Sequence, residues 1–330
     1  MLRIYFTSDD IARTRIAAGP DPLWELVLSL QMLRPQRGDL LFTSWRKEGS
    51  RAVRHARLGE VLALLLALTP NVGYFPDFLN PIEAVHGLDH GLEALRTTPI
   101  PMLKRDVRRL AATHRLPSSA RRLADGEPPV LAELTDAMRR CYELIVLPYR
   151  RSIDAALEKD RRIHTFALAA GGVEGLLASL RPMMTWSAGE LHIPGHRDQE
   201  LHLQGRGLLL IPSYFCVSGP LTMLDPDLPP VLVYPVERGP DALPTTRAST
   251  VPAALGALIG STRAAVLDAI GTREGTSTTA LARHLGISLA SASEHTTVLR
   301  QSGLISSHRD HNRTLHHLTE LGRTLLDTDR

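Results

Sequence analysis

Apolar residues recur along this chain at two different spacings. Leu23, Leu26, Val27, Leu30 and Leu33 repeat every three or four positions, which predicts one face of a helix. Asp21 stands where an N-cap belongs and Pro22 in the first turn. Upstream, Leu2–Phe6 predicts a short strand, and Ser8 and Asp9 predict the start of a helix through Ile16 that Gly19 and Pro20 end. Helical runs follow over Arg51–Leu68 and Leu103–His114, divided from their neighbours by Pro70, Pro76, Pro81 and Pro101. A further break, LPSSARRLADGEPP, precedes a long helical region from Val130 to Leu180, interrupted at Pro148 and at Gly171-Gly172. After Pro182 the pattern turns strand-like. Leu191, Ile193, Leu201 and Leu203 are all odd-numbered, so a hairpin register sets them on one face and puts His192 across from His202, with a loop at His196–Asp198. GRGLLLIPSYF predicts a buried strand ending at Pro212, and Val231–Val236 another. The pattern gives an α+β chain: a mainly helical part over 1–182 and a strand-rich part over 183–238.

Residues 239–251, polar and rich in prolines and small side chains, predict a linker. A second domain over 252–330 follows. Pro252 opens a helix through Ile259, and Ser261 caps another whose face is Ala265, Val266, Ala269 and Ile270. From Ser277 to Thr319 the pattern is denser. Ser277 caps a short helix carrying Leu281, Ala282 and Leu285, and Gly286 stops it. Only Ile287 intervenes before Ser288, a second N-cap, and so short a connection forces two helices to cross steeply. The second helix runs from about Leu289 to Gln301, with Ala292, Val298 and Leu299 inside and Ala290, Ser291, Ser293, Glu294 and Thr297 outside. That outer face is small and polar, as a helix lying in a DNA major groove requires. Beyond Gly303, LISSH and TLHHLT alternate around the turn DHNR, which predicts a two-stranded wing.

The arrangement TTALARHLGIS, then S-x-x-x-x-S-x-H ending in LRQSGLI, then an arginine-bearing wing and LTELG, resembles the winged helix of ArsR-like regulators; a MarR-like winged helix is the nearest alternative. With its upstream SDDIARTRIA and PLWELVLSL, the whole chain looks like a group of actinobacterial regulators. The resemblance implies a transcription regulator, more often a repressor, that binds double-stranded DNA as a homodimer on an inverted repeat. It places the base-reading positions at Ser288, Leu289, Ala290, Ser291, Ser293 and Glu294, with Thr278, His295 and Arg300 beside them and Arg309, His311, Asn312 and Arg313 on the wing. Ser and Thr hydroxyls meet donors or acceptors alike, so each such contact discriminates modestly. Glu294 has two readings of equal standing: acceptance from a cytosine amino group, or a surface pair with Arg283 or Arg300. For His295, a phosphate contact and a packing role both fit. The final helix is short for this family, so a dimer interface falls to the Pro252–Ile259 helix or to residues 1–238, which also form the natural place to sense a small organic effector.

The 330 residues exceed what one core usually serves, in agreement with two domains. The net charge of +3 neither demands nor excludes nucleic acid, which needs only a local basic surface. The two cysteines, Cys141 and Cys216, lie far apart in apolar surroundings and predict buried free thiols in a reducing compartment. MLRIYFTSDD lacks the features of a signal peptide, and the run from Val61 is too short to cross a bilayer, so a soluble cytoplasmic protein without membrane contact is expected. The first helix of the helix-turn-helix has no cysteine and the last helix no histidine, which removes the thiolate and imidazole sites by which many ArsR-like proteins sense metals. His192, His196 and His202, or the wing set His308, His311, His316 and His317, are the alternative for a metal-responsive regulator, with His316 and His317 on opposite sheet faces. No phosphate loop, G-x-S-x-G or H-E-x-x-H occurs, so neither an enzyme nor a cofactor is expected; an enzyme domain fused to the DNA-binding module is the remaining alternative.

Overall fold

The computed structural model describes residues 1–34, 42–196, 198–238, 243, 253–271, 275–285, 287–310 and 313–327. Its contacts group into two compact units, Met1–Leu40 with Arg46–Arg238, and Leu41–Trp45 with Gly239–Arg330. The class is α+β. Of the 239–251 stretch only Leu243, a buried residue, is described, and Pro252 and Gly286 lie outside the described residues.

In chain order the first unit begins with strand β1 (Leu2–Tyr5), helix α1 (Ser8–Arg13), strand β2 (Arg15–Ile16) and helices α2 (Pro22–Met32), α3 (Thr43–His55) and α4 (Gly59–Leu68). Two 3-10 turns, Asp77–Leu79 and Ile82–His86, lead to α5 (Leu88–Arg96), α6 (Ile100–Ala111), α7 (Ser119–Ala124), α8 (Pro128–Ile145) and α9 (Arg150–Ala178). Strands β3 (Thr185–Ser187), β4 (Glu190–Ile193), β5 (Gln199–His202), β6 (Leu209–Ser213), β7 (Leu221–Thr222) and β8 (Val231–Pro235) complete it. The second unit contains α10 (Ala253–Ile259), α11 (Ser261–Gly271), β9 (Thr276–Ser277), α12 (Thr278–Leu285), α13 (Leu289–Gln301), β10 (Ile305–Asp310), β11 (Arg313–Leu318) and α14 (Glu320–Asp327).

Several predicted bounds shift for identifiable reasons. The first helix ends at Arg13 rather than Ile16. Thr7, not Ser8 or Asp9, caps it, in a reciprocal box with Asp10, and Arg15 leaves the helix to donate its N–H to Leu208 O at 3.0 Å. The run Arg51–Leu68 is two helices, α3 and α4, separated where Arg57 and Gly59 take positive φ. Pro101 does not interrupt a helix; it sits in the first turn of α6, where a missing N–H leaves nothing unsatisfied. The break LPSSARRLADGEPP holds α7, and the spacing predicts neither it nor α5. The breaks in the long helical region fall where expected: a 3-10 turn, Leu147–Tyr149, holds Pro148, and Gly172 sits at φ +63° inside α9.

The strand-rich part is not self-contained. The first sheet has the order β3-β4-β1-β5, so β1 separates the two strands expected to form a hairpin. His192 therefore faces Arg3 and Thr185, and His202 faces Tyr5; they are not neighbours. The odd-numbered side chains do share a buried face: Leu191, Ile193 and Leu203 meet Leu2, Ile4, Leu210 and Tyr234, under Leu176, Leu177 and Leu180 from beyond the α9 kink. The second sheet, β2-β6-β8-β7, is also completed from the N-terminus. Its strand β6 runs through Pro212 to Ser213; β2 pairs only with Leu209 and Leu210, so Pro212 has a ladder on one side alone.

Helix α2 is buried on nearly all sides, which carries two acids into the interior. Asp21 caps it by accepting from Leu23 and Trp24 N–H, both at 3.0 Å. Glu25 accepts from Tyr214 N–H at 2.8 Å and Phe215 N–H at 3.1 Å, tying α2 to the end of β6. Burial outweighs these bonds and pushes both carboxyls up to about 7. Cys141 and Cys216 are buried free thiols, pushed up to about 12 by desolvation.

Candidate nucleic-acid interface

The core of the second unit is built by α11, whose Ala264, Val266, Leu267, Ala269 and Ile270 pack with Leu281, Leu299, Leu304 and Ile305. This core holds α12 and α13 by one face each. Ser277 accepts from Ala280 N–H at 3.3 Å at the start of α12. Ile287 N–H returns to Ala282 O at 3.1 Å, and Ser288 caps α13 by accepting from Ser291 N–H at 3.0 Å. The tight helix-turn-helix connection is thus bonded on both sides.

Ala292, Thr296 and Leu299 of α13 are buried, with Val298 half-buried. Ser288, Leu289, Ala290, Ser293, Glu294 and Thr297 are exposed; Leu289 at 56% is unusually open for an apolar side chain. Thr296 and Thr297 return their hydroxyls to backbone carbonyls one turn back, at 2.9 and 2.8 Å. Among the described residues neither Arg283 nor Arg300 forms an ion pair with Glu294 within 4.0 Å, so its carboxylate stands open on the outer face beside the serines. Arg300 is exposed at the end of the same helix.

Three of the predicted residues are engaged internally. Ser291, only half-exposed, meets His295 Nε2 at 3.1 Å, and His295 Nδ1 is buried with no partner among the described residues. Thr278 pairs with His316 Nε2 at 2.9 Å, and Ser307 with His316 Nδ1 at 2.8 Å, so a buried imidazole ties α12 to both wing strands. Burial, with Arg300 and His317 nearby, lowers the pKa of His316 and keeps it neutral.

Strands β10 and β11 pair from Ile305↔Leu318 to Asp310↔Arg313, and β9 adds a third strand through Leu315↔Ser277. The alternation does not signal that third strand, because two residues carry no period. Arg309 is exposed near the tip and Arg313 starts β11; His311 and Asn312 lie outside the described residues. His308 stacks on His317, rings 4.6 Å apart and nearly parallel, while His316 faces the core on the other side.

A model of the helix-turn-helix domain family matches residues 259–308, from the end of α10 into β10. Residues 259–308 form a helix-turn-helix domain. The match supports a DNA-binding regulator. No curated protein and no solved structure matches the chain. No helix among the described residues is long and apolar enough to cross a membrane. Nor does any group of three or more His, Cys, Asp or Glu side chains converge there on a metal position: β1 parts His192 from His202, which instead stacks on Tyr5 at 4.5 Å.

Proposed function

We propose that the protein is a cytoplasmic transcriptional repressor of ArsR-like type that binds double-stranded DNA as a homodimer on an inverted repeat, under the control of a small organic ligand held by residues 1–238. In this reading α13 enters the major groove, Ser288, Leu289, Ala290, Ser293 and Glu294 meet base edges, and Arg309 with Arg313 follows the phosphates. Thr278 and His295 act differently from the rest: they hold the wing and Ser291 in place. The observation that carries the proposal is the outer face of α13, small, polar and exposed, backed by a helix whose inner residues are fixed in the core.

One helix contacts one half-site, so a two-fold dimer would set the half-sites about 34 Å apart. Leu258 on α10, exposed at 74%, and Phe166 on α9, exposed at 77%, are two apolar side chains open to a dimer contact. Ligand control requires only that the ligand bind one placement of the two recognition helices better than another. The chain acts as a regulator and not as a catalyst.

The test replaces Ala290 and Ser293, both exposed on α13, together with Glu. Two added carboxylates on the groove-facing surface should weaken operator binding at least 100-fold while the melting profile stays near that of the parent chain. Undiminished, salt-sensitive binding by this variant would remove α13 as the reading helix.

A further inference from the structure

A cavity of about 370 Å³ lies inside the first unit, between the start of α2, the two 3-10 turns, the α5–α6 junction and strands β6 and β8. Trp24, Phe78, Met102 and Ile211 give it apolar walls, and its volume suits a small organic molecule. Its polar lining is one-sided. Glu83, Thr97 and Thr98 bring side-chain oxygens to it, and no lysine, arginine or histidine lines the space. Glu83 stands exposed on the second 3-10 turn, and among the described residues its carboxylate has neither a hydrogen bond nor an ion pair.

The threonines add acceptors and not donors. Thr97 directs its hydroxyl proton to Ala94 O at 3.0 Å or Glu93 O at 3.3 Å, and Thr98 directs its own to Ala94 O at 3.5 Å, so both oxygens offer a ligand only lone pairs. The arginines of the bordering helices are engaged elsewhere: Arg96 of α5 with Thr135 and Asp136, and Arg105 of α6 with Asp106 and Asp225. Asp21 and Asp77, both buried, line the cavity too. Their oxygens already accept from Leu23, Trp24, Leu224 and Asp225 N–H, so they contribute negative potential rather than a contact. A carboxylate or phosphate would meet like charge here with no cation to receive it. A group that carries positive charge and only donors fits, and an ammonium is such a group.

We infer that this cavity binds a protonated primary amine with an apolar body, the body against Trp24 and Met102 and the ammonium donating to Glu83 and a threonine hydroxyl. Arylalkylamines have that form. The inference deepens the ligand-control reading and rests on it for its regulatory meaning, whereas the binding itself is a property of the first unit.

Phenylethylamine serves as the probe, with phenylethanol as its neutral counterpart and phenylacetate as the anion, in calorimetric titration of the full-length chain at low salt without DNA. The result expected is saturable millimolar binding of the amine, about fivefold weaker binding of the alcohol and none of phenylacetate. Glu83→Gln should weaken the amine about fivefold and leave the alcohol unchanged. A Glu83 that serves only the fold would leave the preference for the amine intact. Ala94→Leu, on the half-buried lining, fills the space and should abolish the binding of both, which assigns that binding to this cavity. No saturable binding of the amine, equal or tighter binding of the alcohol or phenylacetate, an amine preference that survives Glu83→Gln, or unchanged binding in Ala94→Leu would overturn the inference. Because no DNA is present, failure here leaves operator control to be decided separately; amine binding without any effect on operator affinity would instead sink the control reading and leave the site standing.

Discussion

Replacing Gly322 with Ala sets two physical effects of opposite sign against each other. Gly322 lies inside α14, and in an exposed helix interior Ala is more stable than Gly by about 1 kcal/mol. A Cβ built there, however, would stand 2.1 Å from the carbonyl oxygen of Leu304. Ordinary contact requires a separation larger by on the order of 1.3 Å. The backbone that would have to move carries a dense set of bonds. Thr319 N–H donates to Leu304 O at 3.1 Å, Thr319 Oγ1 to Gly303 O at 2.7 Å, and Gly322 N–H to Thr319 Oγ1 at 3.1 Å. Overpacking of this kind costs about 1–3 kcal/mol, and loosening two such bonds adds about 1 kcal/mol each. After subtracting the propensity gain, the net destabilisation is about 3 kcal/mol. For a unit of this size that lowers the melting temperature by roughly 15 °C. Differential scanning calorimetry of the full-length chain reads it. An unchanged or higher transition for Gly322→Ala would show that α14 does not press on the start of the wing as described.

The remaining predictions concern pH, the buried imidazole, the wing and the dimer. Glu25 and Asp21 are pushed up to about 7, so stability of the first unit is fullest below their unfolded pKa values near 4 and is lost as pH rises through about 7; Glu25→Gln should flatten part of that slope in calorimetric scans. His316 is shifted the other way, so the second unit keeps its full stability above the unfolded pKa of about 6.5 and loses it as pH falls below, and the two transitions should diverge in opposite directions on titration. His316→Ala leaves the Thr278 and Ser307 hydroxyls without their ring partner and should destabilise the second unit by about 2 kcal/mol, measured by urea unfolding. Arg309→Ala should lower the slope of log affinity against log salt by about one without changing sequence preference, measured by fluorescence anisotropy. Leu258→Glu or Phe166→Asp should convert a dimer to a monomer in sedimentation equilibrium; a dimer that survives both changes places the interface elsewhere.

How much of this was legible in the sequence depended on whether the needed contacts are local. The helix-turn-helix was readable because Ser277, Ser288 and Gly303 punctuate one contiguous stretch, and the inner and outer faces of α13 follow from spacing alone. The sheets were not. Leu191, Ile193, Leu201 and Leu203 announced a common buried face correctly, yet nothing between them reveals that Leu2–Tyr5, nearly two hundred residues away, inserts between their strands. An antiparallel hairpin and two strands parted by a third share the same alternation. Thr14 and Arg15 were assigned to a helix for a similar reason: the carbonyl that draws Arg15 out belongs to Leu208. In the binding surface, Thr278 and His295 carry the residue types of contact positions, and only the placement of His316 and Ser291 reveals their inward bonds.

Selection of bound sequences from a random double-stranded DNA pool by the full-length protein tests the central claim most directly. The account predicts enrichment of an inverted repeat with half-site centres about one helical turn apart, and loss of that enrichment in the Ala290→Glu, Ser293→Glu double variant. A pool that stays unenriched, or one enriched equally by the double variant, would contradict it.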